Sequence, residues 1–371
     1  MKATFPHMGN VSIIVKALFE TLEVDYIIPP ACSKRTLELG TKYAPELACL
    51  PLKINIGNFI ESIEQGADTI VMAGGCGPCR FGYYGEVQKE ILKDLGYNVE
   101  FLVLELPNGG IKEFLRRLRT LIGRKSLLQA AKAVQKATKI SIALDELDKL
   151  SFQIRAREAV KGKTDWMMKK FHHQVMKVKG AESIIKLIRE TQKELEAIEI
   201  DRSVRVLKIG IVGEIYTLIE PFTNFNIEQM LGNMGIEVDR SLTLSNWIVE
   251  HMIKQALHLK KNRPYEKAAP PYMNTMIGGH AWETIGNSVL YAQQGYDGIV
   301  QLYPFTCMPE IVAQSILPTI SNELDIPILT LIIDELTGEA GYKTRIEAFV
   351  DMLARRKEEK AHSNEYILSG N

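Results

Sequence analysis

Five cysteines carry most of the chemistry this sequence can offer: Cys32, Cys49, Cys76, Cys79 and Cys307. Cys76-Gly77-Pro78-Cys79 follows an apolar run through Gly74-Gly75. A CxxC on a tight turn can chelate one metal, ligate an iron–sulfur cluster or cycle as a dithiol. Cys32 stands in Pro29-Pro30-Ala31-Cys32-Ser33 and Cys307 in Pro304-Phe305-Thr306-Cys307-Met308-Pro309-Glu310, each just past a strand-like run, whereas Cys49 opens Cys49-Leu50-Pro51-Leu52-Lys53 ahead of a helix. The prolines and glycines fix the backbone and leave amides free to face an anionic sulfur site. A buried core thiol is the ordinary fate of a free cysteine, and for Cys49 it weighs as much as a ligand role. A structural zinc site usually needs two close ligand pairs, and only one pair is present. Dithiol exchange through Cys76 and Cys79 is the competing chemistry and ranks second.

Around these residues the chain reads as α/β: two Rossmann-like parallel-sheet domains joined by a helical segment. Strand-like runs at 25–28, 68–73 and 98–106 alternate with periodic stretches at 11–22, 59–64 and 85–95. That βαβ rhythm belongs to a parallel sheet covered by helices. The expected boundaries are 1–110, a helical segment 111–204 and a second α/β domain 205–371 with a C-terminal helix. The second domain carries strands at 206–212, 235–238, 298–302 and 327–333. At an offset of 229, Ile56-Gly57-Asn58 matches Ile285-Gly286-Asn287, Gln65-Gly66 matches Gln294-Gly295, and Asp68, Ile70 and Val71 match Asp297, Ile299 and Val300. Those matches point to an internal duplication. Each half would then set a cysteine just past the end of an equivalent strand, where open α/β sheets place ligands.

Composition narrows the field. The 371 residues carry 45 Lys+Arg and 45 Asp+Glu, a formal net charge of zero that gives no global field for nucleic acid or anionic lipid. No apolar window approaches the ~18 residues of a membrane span, and the first residues hold no signal-peptide core, so a cytoplasmic setting with reduced thiols is expected. The zero conceals a basic stretch. Between Lys112 and Lys163 there are 14 Lys/Arg against 5 Asp/Glu, a solvated helix face or a docking surface for an acidic partner or the phosphates of a CoA ester. Gly162-Lys163-Thr164 resembles the end of a phosphate-binding loop, but Arg157 stands where its leading glycine should be, so no nucleotide is expected on this chain. Trp166 and Met167-Met168 read as helix-packing residues and His172-His173 as exposed.

The strings Cys49–Lys53, 75–84 (Gly-Cys-Gly-Pro-Cys-Arg-Phe-Gly-Tyr-Tyr) and Pro304–Glu310 resemble the CoA-enzyme-activase-associated branch of the 2-hydroxyacyl-CoA dehydratase and benzoyl-CoA reductase superfamily, related to double-cubane cluster proteins. So do Asp334–Gly341 and Thr344–Asp351. The resemblance covers roughly 1–110 and 205–352. It implies a low-potential [4Fe-4S] protein reduced by a separate ATP-hydrolysing activator that carries its own iron–sulfur cluster. Its electrons would serve reduction of a small substrate or radical dehydration of an acyl-CoA; a non-catalytic electron relay is the alternative within the same resemblance. It further implies three cluster ligands from strand-end turns, matched by Cys32, Cys76 and Cys307, with Cys79 and Cys49 entering if the cluster is a larger double cubane. A double cubane takes six cysteines and this chain has five. A homodimer or a homologous hetero-dimer is implied as well. By position, Arg80 and Lys53 are cations beside thiolates and Ser33 can hydrogen-bond a sulfur, against a plain surface or helix-cap role for each. Glu310 reads as a helix cap, and Asp334-Glu335 as a surface turn.

Overall fold

A computed structural model describes residues 1–74, 79–104, 110–123, 125–204, 206–254 and 263–368. Strand β1 (Ala3–Thr4) leads to α1 (Val11–Leu22), α2 (Lys34–Tyr43) and α3 (Leu50–Glu64). Then come β2 (Thr69–Ala73), α4 (Tyr84–Asp94) and β3 (Glu100–Leu104). The first sheet has the order β1-β2-β3, all parallel. The run at 25–28 does not extend into a strand; Tyr26 makes one parallel bridge to Ala3 on the free side of β1. Four helices follow: α5 (Gly110–Ile122), α6 (Leu127–Arg155), α7 (Lys163–Val175) and α8 (Ala181–Glu196). The second sheet, β5-β4-β6-β7, is also all parallel. Its strands are β4 (Leu207–Gly213), β5 (Ile236–Arg240), β6 (Gly298–Pro304) and β7 (Ile328–Ile333), with short helices α9 (Ile215–Ile219), α10 (Ile227–Asn233) and α11 (Leu244–Trp247) among them. Longer helices Ala281–Gln293, Met308–Glu323 and Glu339–Leu368 complete the chain. Counting the Tyr26 bridge, both sheets place the first strand between its successor and the next one, so the strand order reverses beside β1 and beside β4.

The physical reasons are local. Every residue of β6 (Gly-Ile-Val-Gln-Leu-Tyr-Pro) is buried, as a central parallel strand covered on both faces must be. In α6 the buried positions 130, 133, 137, 140, 144, 147, 151 and 154 recur at alternating steps of three and four, the seam of a helix laid along a partner. Through that seam α6 packs on α1, α8, α10, α11 and β5. The helical segment therefore has no core of its own. One cluster runs from Ile13 and Ile14 through Ile140, Leu144 and Leu147 to Ile209, Ile211 and Val300.

Helix α3 is the most enclosed element near the cysteines: every residue from Leu50 to Ser62 is buried. Its contact with α2 is made backbone to backbone. A Cβ on Gly40 would lie 1.8 Å from the Lys53 carbonyl oxygen, and one on Gly57 would lie 1.9 Å from the Thr36 carbonyl oxygen. Only glycine permits this approach, and it fixes where the N-terminus of α3 emerges.

Candidate metal centre

The ends of the parallel strands supply the site. His7 follows β1, Cys79 comes between β2 and α4, Glu214 follows β4, and Cys307 follows β6. These are the points flanking each reversal of strand order, where the two neighbouring loops diverge and leave a crevice. Cys76 lies outside the described residues.

Cys49 and Cys307 are both helix N-caps in a Cys-X-Pro string: Cys49 caps α3, with Pro51 in its first turn, and Cys307 caps Met308–Glu323, with Pro309 in its first turn. Proline costs nothing there, because the first-turn amides have no intrahelical acceptor, and its fixed φ suits the helix. The other amides face the cap. The Glu310 N–H donates to the Cys307 sulfur. Thr306 is held at φ +68°, a costly left-handed conformation for a β-branched residue. Its Oγ1 donates to the Leu47 carbonyl at 3.2 Å, tying the Cys307 turn to the Cys49 loop across the two sheets.

The Cys49 thiol is hydrogen-bonded to the Tyr84 hydroxyl. Burial holds that hydroxyl far above its usual range, and Cys49, Glu214 and Cys79 add to the effect. Burial likewise pushes the Cys307 thiol up, reinforced by Glu214, Glu310 and Cys49. Cys49, Cys79 and Cys307 thus form one neighbourhood around Tyr84 and Glu214. Acidic groups gathered in a low-dielectric pocket are stable only when protons or metal ions balance them. Three thiols on three separate turns, with helix amides directed at one of them, are a donor set that fits an iron–sulfur cluster.

Cys32 has different partners. Its Sγ lies 3.6 Å from His7 Nδ1 and 3.9 Å from Tyr216 Oη. His7 Nδ1 is 2.9 Å from Glu220 Oε2, and the three ligand atoms all lie within 4.8 Å of one another. Burial raises the Cys32 thiol, with Glu220 and Glu61 adding to the shift. Glu214 accepts from the amides of Tyr216 and Thr217 at 3.0 and 2.9 Å, and its charge is felt at Tyr84, Cys307 and Tyr216.

The remaining sequence candidates divide. Ser33 is the N-cap of α2, its side chain accepting from the Thr36 amide in a reciprocal capping box, so its hydroxyl is committed to the helix. Lys53 is buried, and its Nζ meets Glu335 Oε1 at 2.5 Å, joining α3 to the end of β7. Glu335 lies in the partly exposed turn expected there, and its carboxylate additionally partners the lysine, as a cation on a helix buried on every face requires. Arg80 lies in the single-turn helix Arg80–Tyr83, and its side chain is outside the described set. Glu310 is no cap. It is fully buried, accepting from Thr284 Oγ1 and Gln301 Nε2 at 3.0 Å, and burial raises its carboxyl to about 8. Trp166 stands exposed with Lys170 over its ring, while Met168 packs inside as expected. At Gly162-Lys163-Thr164 the amides of Gly162 and Thr164 donate to the Glu158 carboxylate at 2.6 and 2.8 Å, so the chain's own acid fills the place a phosphate would take.

Residues 13–353 match the family model described as 2-hydroxyglutaryl-CoA dehydratase, D-component. The chain belongs to this family. As a member it is a component of the 2-hydroxyacyl-CoA dehydratase type, and Cys32, Cys49, Cys79 and Cys307 all fall inside the matched segment, whereas His7 precedes it. A comparison with curated proteins gave no match. Among the described residues no helix is long and apolar enough to cross a membrane.

Sequence reasoning missed His7, Tyr84, Glu214, Tyr216 and Glu220. A usable signal existed for two of them: His7 and Glu214 each lie within three residues of the C-terminal end of a strand, the position that marked the cysteines. Tyr84, Tyr216 and Glu220 sit in or beside helices, where sequence spacing gives no such mark.

Proposed function

We propose that this dehydratase-type component holds an iron–sulfur cluster at the shared strand-end edge and receives its electrons from a separate ATP-hydrolysing activator. The supporting observation is that the Cys49 thiol is hydrogen-bonded to Tyr84, five residues past Cys79, while Thr306, next to Cys307, donates to the Leu47 carbonyl two residues before Cys49. Cys307, Cys49 and Cys79 would be the ligands, with Cys76 three residues before Cys79 in the sequence as a further candidate. When bound, such a cluster supplies a low-potential one-electron store for radical dehydration of an acyl-CoA or reduction of a small substrate.

The chain's own residues set the environment. The Glu310 amide stabilises negative charge on the Cys307 sulfur, and the Tyr84 hydroxyl bears on Cys49. Hydrogen bonds to sulfur and burial are the main levers on cluster potential. The Lys53–Glu335 pair holds the helix carrying Cys49 against the second sheet. Leu47, Tyr83, Phe305, Met308 and Leu336, which flank the cysteine turns and Glu335, stand exposed. This apolar rim suits docking of a reducing partner that must bring its own cluster close.

Anaerobic purification followed by iron and acid-labile sulfide analysis tests the reading. A brown protein with about four irons per cluster is expected. A colourless protein that takes up no iron on anaerobic reconstitution overturns it. ATP- and activator-dependent reduction, followed by the loss of cluster absorbance, tests the electron source.

A further inference from the structure

The donors of the His7–Cys32–Glu220 group are of three different kinds. We propose that His7 Nδ1, Cys32 Sγ and Glu220 Oε2 bind one zinc-class divalent ion at the seam between the two sheets. The donor set is one imidazole, one thiolate and one carboxylate, the mixture that a borderline-soft ion prefers. The spacing suits it. Bonds of about 2.0–2.3 Å to a tetrahedral ion put neighbouring donors about 3.5 Å apart. Here the His7–Cys32 separation is 3.6 Å, the His7–Glu220 separation 2.9 Å, and all three donors lie within 4.8 Å of one another, so uptake asks for adjustments of about an ångström.

The donors are also held from behind, as metal ligands usually are. Glu220 is 2 % exposed, and its carboxylate accepts from the amides of Gly9 at 2.8 Å and Phe222 at 3.2 Å. The His7 carbonyl accepts from Tyr216 Oη at 2.9 Å, and the His7 amide donates to Asn58 Oδ1 at 3.0 Å. The Asn58 amide group in turn donates to the Pro30 carbonyl at 2.8 Å, two residues before Cys32. Tyr216 and Asn58 thereby fix His7 and the Cys32 loop relative to each other. His7 and Cys32 come from the first sheet's loops and Glu220 from the second's, so the ion would staple the two. Three protein donors leave a fourth position for water or a small ligand. Uptake displaces the thiol proton, so binding weakens as pH falls.

The test uses the full chain carrying Cys49→Ser, Cys76→Ser, Cys79→Ser and Cys307→Ser, which leaves Cys32 as the last thiol. Titration with Co²⁺ is expected to give one equivalent of thiolate-to-cobalt charge-transfer absorption. Adding Cys32→Ser should abolish that band, and Glu220→Gln or His7→Ala should weaken binding at least about tenfold. No band, or a band indifferent to Glu220→Gln and His7→Ala, overturns the site. If the multiple variant does not fold, zinc and iron are counted in anaerobic wild type and in Cys32→Ser. Loss of zinc with iron retained supports the site. A wild type without zinc that takes none up on addition overturns it. Loss of iron in Cys32→Ser also overturns it, because Cys32 then belongs to the cluster; an iron-free wild type that still binds zinc through Cys32 would instead sink only the cluster reading.

Discussion

Two groups of donors share one edge of this molecule, and they are built by different means. The thiols of Cys49 and Cys307 are presented by helix N-termini, through Cys-X-Pro strings that repeat in the two halves. The His7–Cys32–Glu220 group is presented by loops, and its order comes from side chains that hydrogen-bond other loops across more than 200 residues of sequence. Backbone-presented donors can be read in a sequence because the motif and the geometry are local. Loop-presented donors depend on which loops meet.

The largest effect expected is on the first group alone. Cys307→Ser should remove most of the cluster iron while leaving Co²⁺ or Zn²⁺ uptake by the second group intact, as elemental analysis of each variant would show. Equal loss of both metals would erase the distinction between the groups.

Lys53→Met comes next. It leaves Glu335 without its cation in a largely buried position, which typically costs about 3–5 kcal/mol. Because Glu335 is still about one-fifth exposed, the lower end is expected, read from the midpoint of urea unfolding. The double variant Lys53→Met/Glu335→Leu should recover much of that loss.

Gly57→Ala tests both groups together, since α2 follows Cys32 and α3 follows Cys49. A methyl 1.9 Å from the Thr36 carbonyl oxygen must push the helices apart, at about 1–3 kcal/mol by analogy with overpacked cores. Iron content and Co²⁺ affinity should fall in step. A change confined to one of them would mean that the helix pair does not position both.

The smallest effect on metal content concerns the loop of His7. Asn10 Nδ2 donates to Asp148 Oδ2 at 3.0 Å, so α6 steadies the loop that carries His7. Burial raises the Asp148 carboxyl from 3.8 to about 7, against the pull of Arg240. A raised carboxyl favours the folded state most below its unfolded value. That contribution is lost as pH rises through the folded value, so the penalty grows between about pH 4 and 7. Asp148→Asn should flatten this part of the stability–pH curve, and iron content should not change. A variant whose curve keeps the wild-type slope would show that another group titrates there.

Much of the fold was legible because strands and helices here obey their local periods. The runs at 11–22, 68–73, 206–212 and 298–302 became α1, β2, β4 and β6 with ends shifted by at most two residues. The 25–28 run has strand-like residues yet makes a single bridge, because only Ala3–Thr4 lies beside it to pair. The reading of α3 began at residue 59, too late by nine residues, since a helix buried on every side shows no amphipathic period.

By itself the sequence determined that this is an α/β chain with cysteines set at strand ends and helix starts, and its motifs pointed to the dehydratase family. Those features rest on interactions within a few residues: a proline in a first turn, a glycine after a strand, an apolar period. Only the tertiary structure decided which cysteines are neighbours. It gave Cys32 to His7 and Glu220, drew Cys49 and Cys79 to Tyr84 near Cys307, and buried Lys53 against Glu335. The Cys49–Tyr84 and Lys53–Glu335 pairings join residues 35 and 282 positions apart, and no local rule carries that far. They are set by how two sheets and one long helix share a single core.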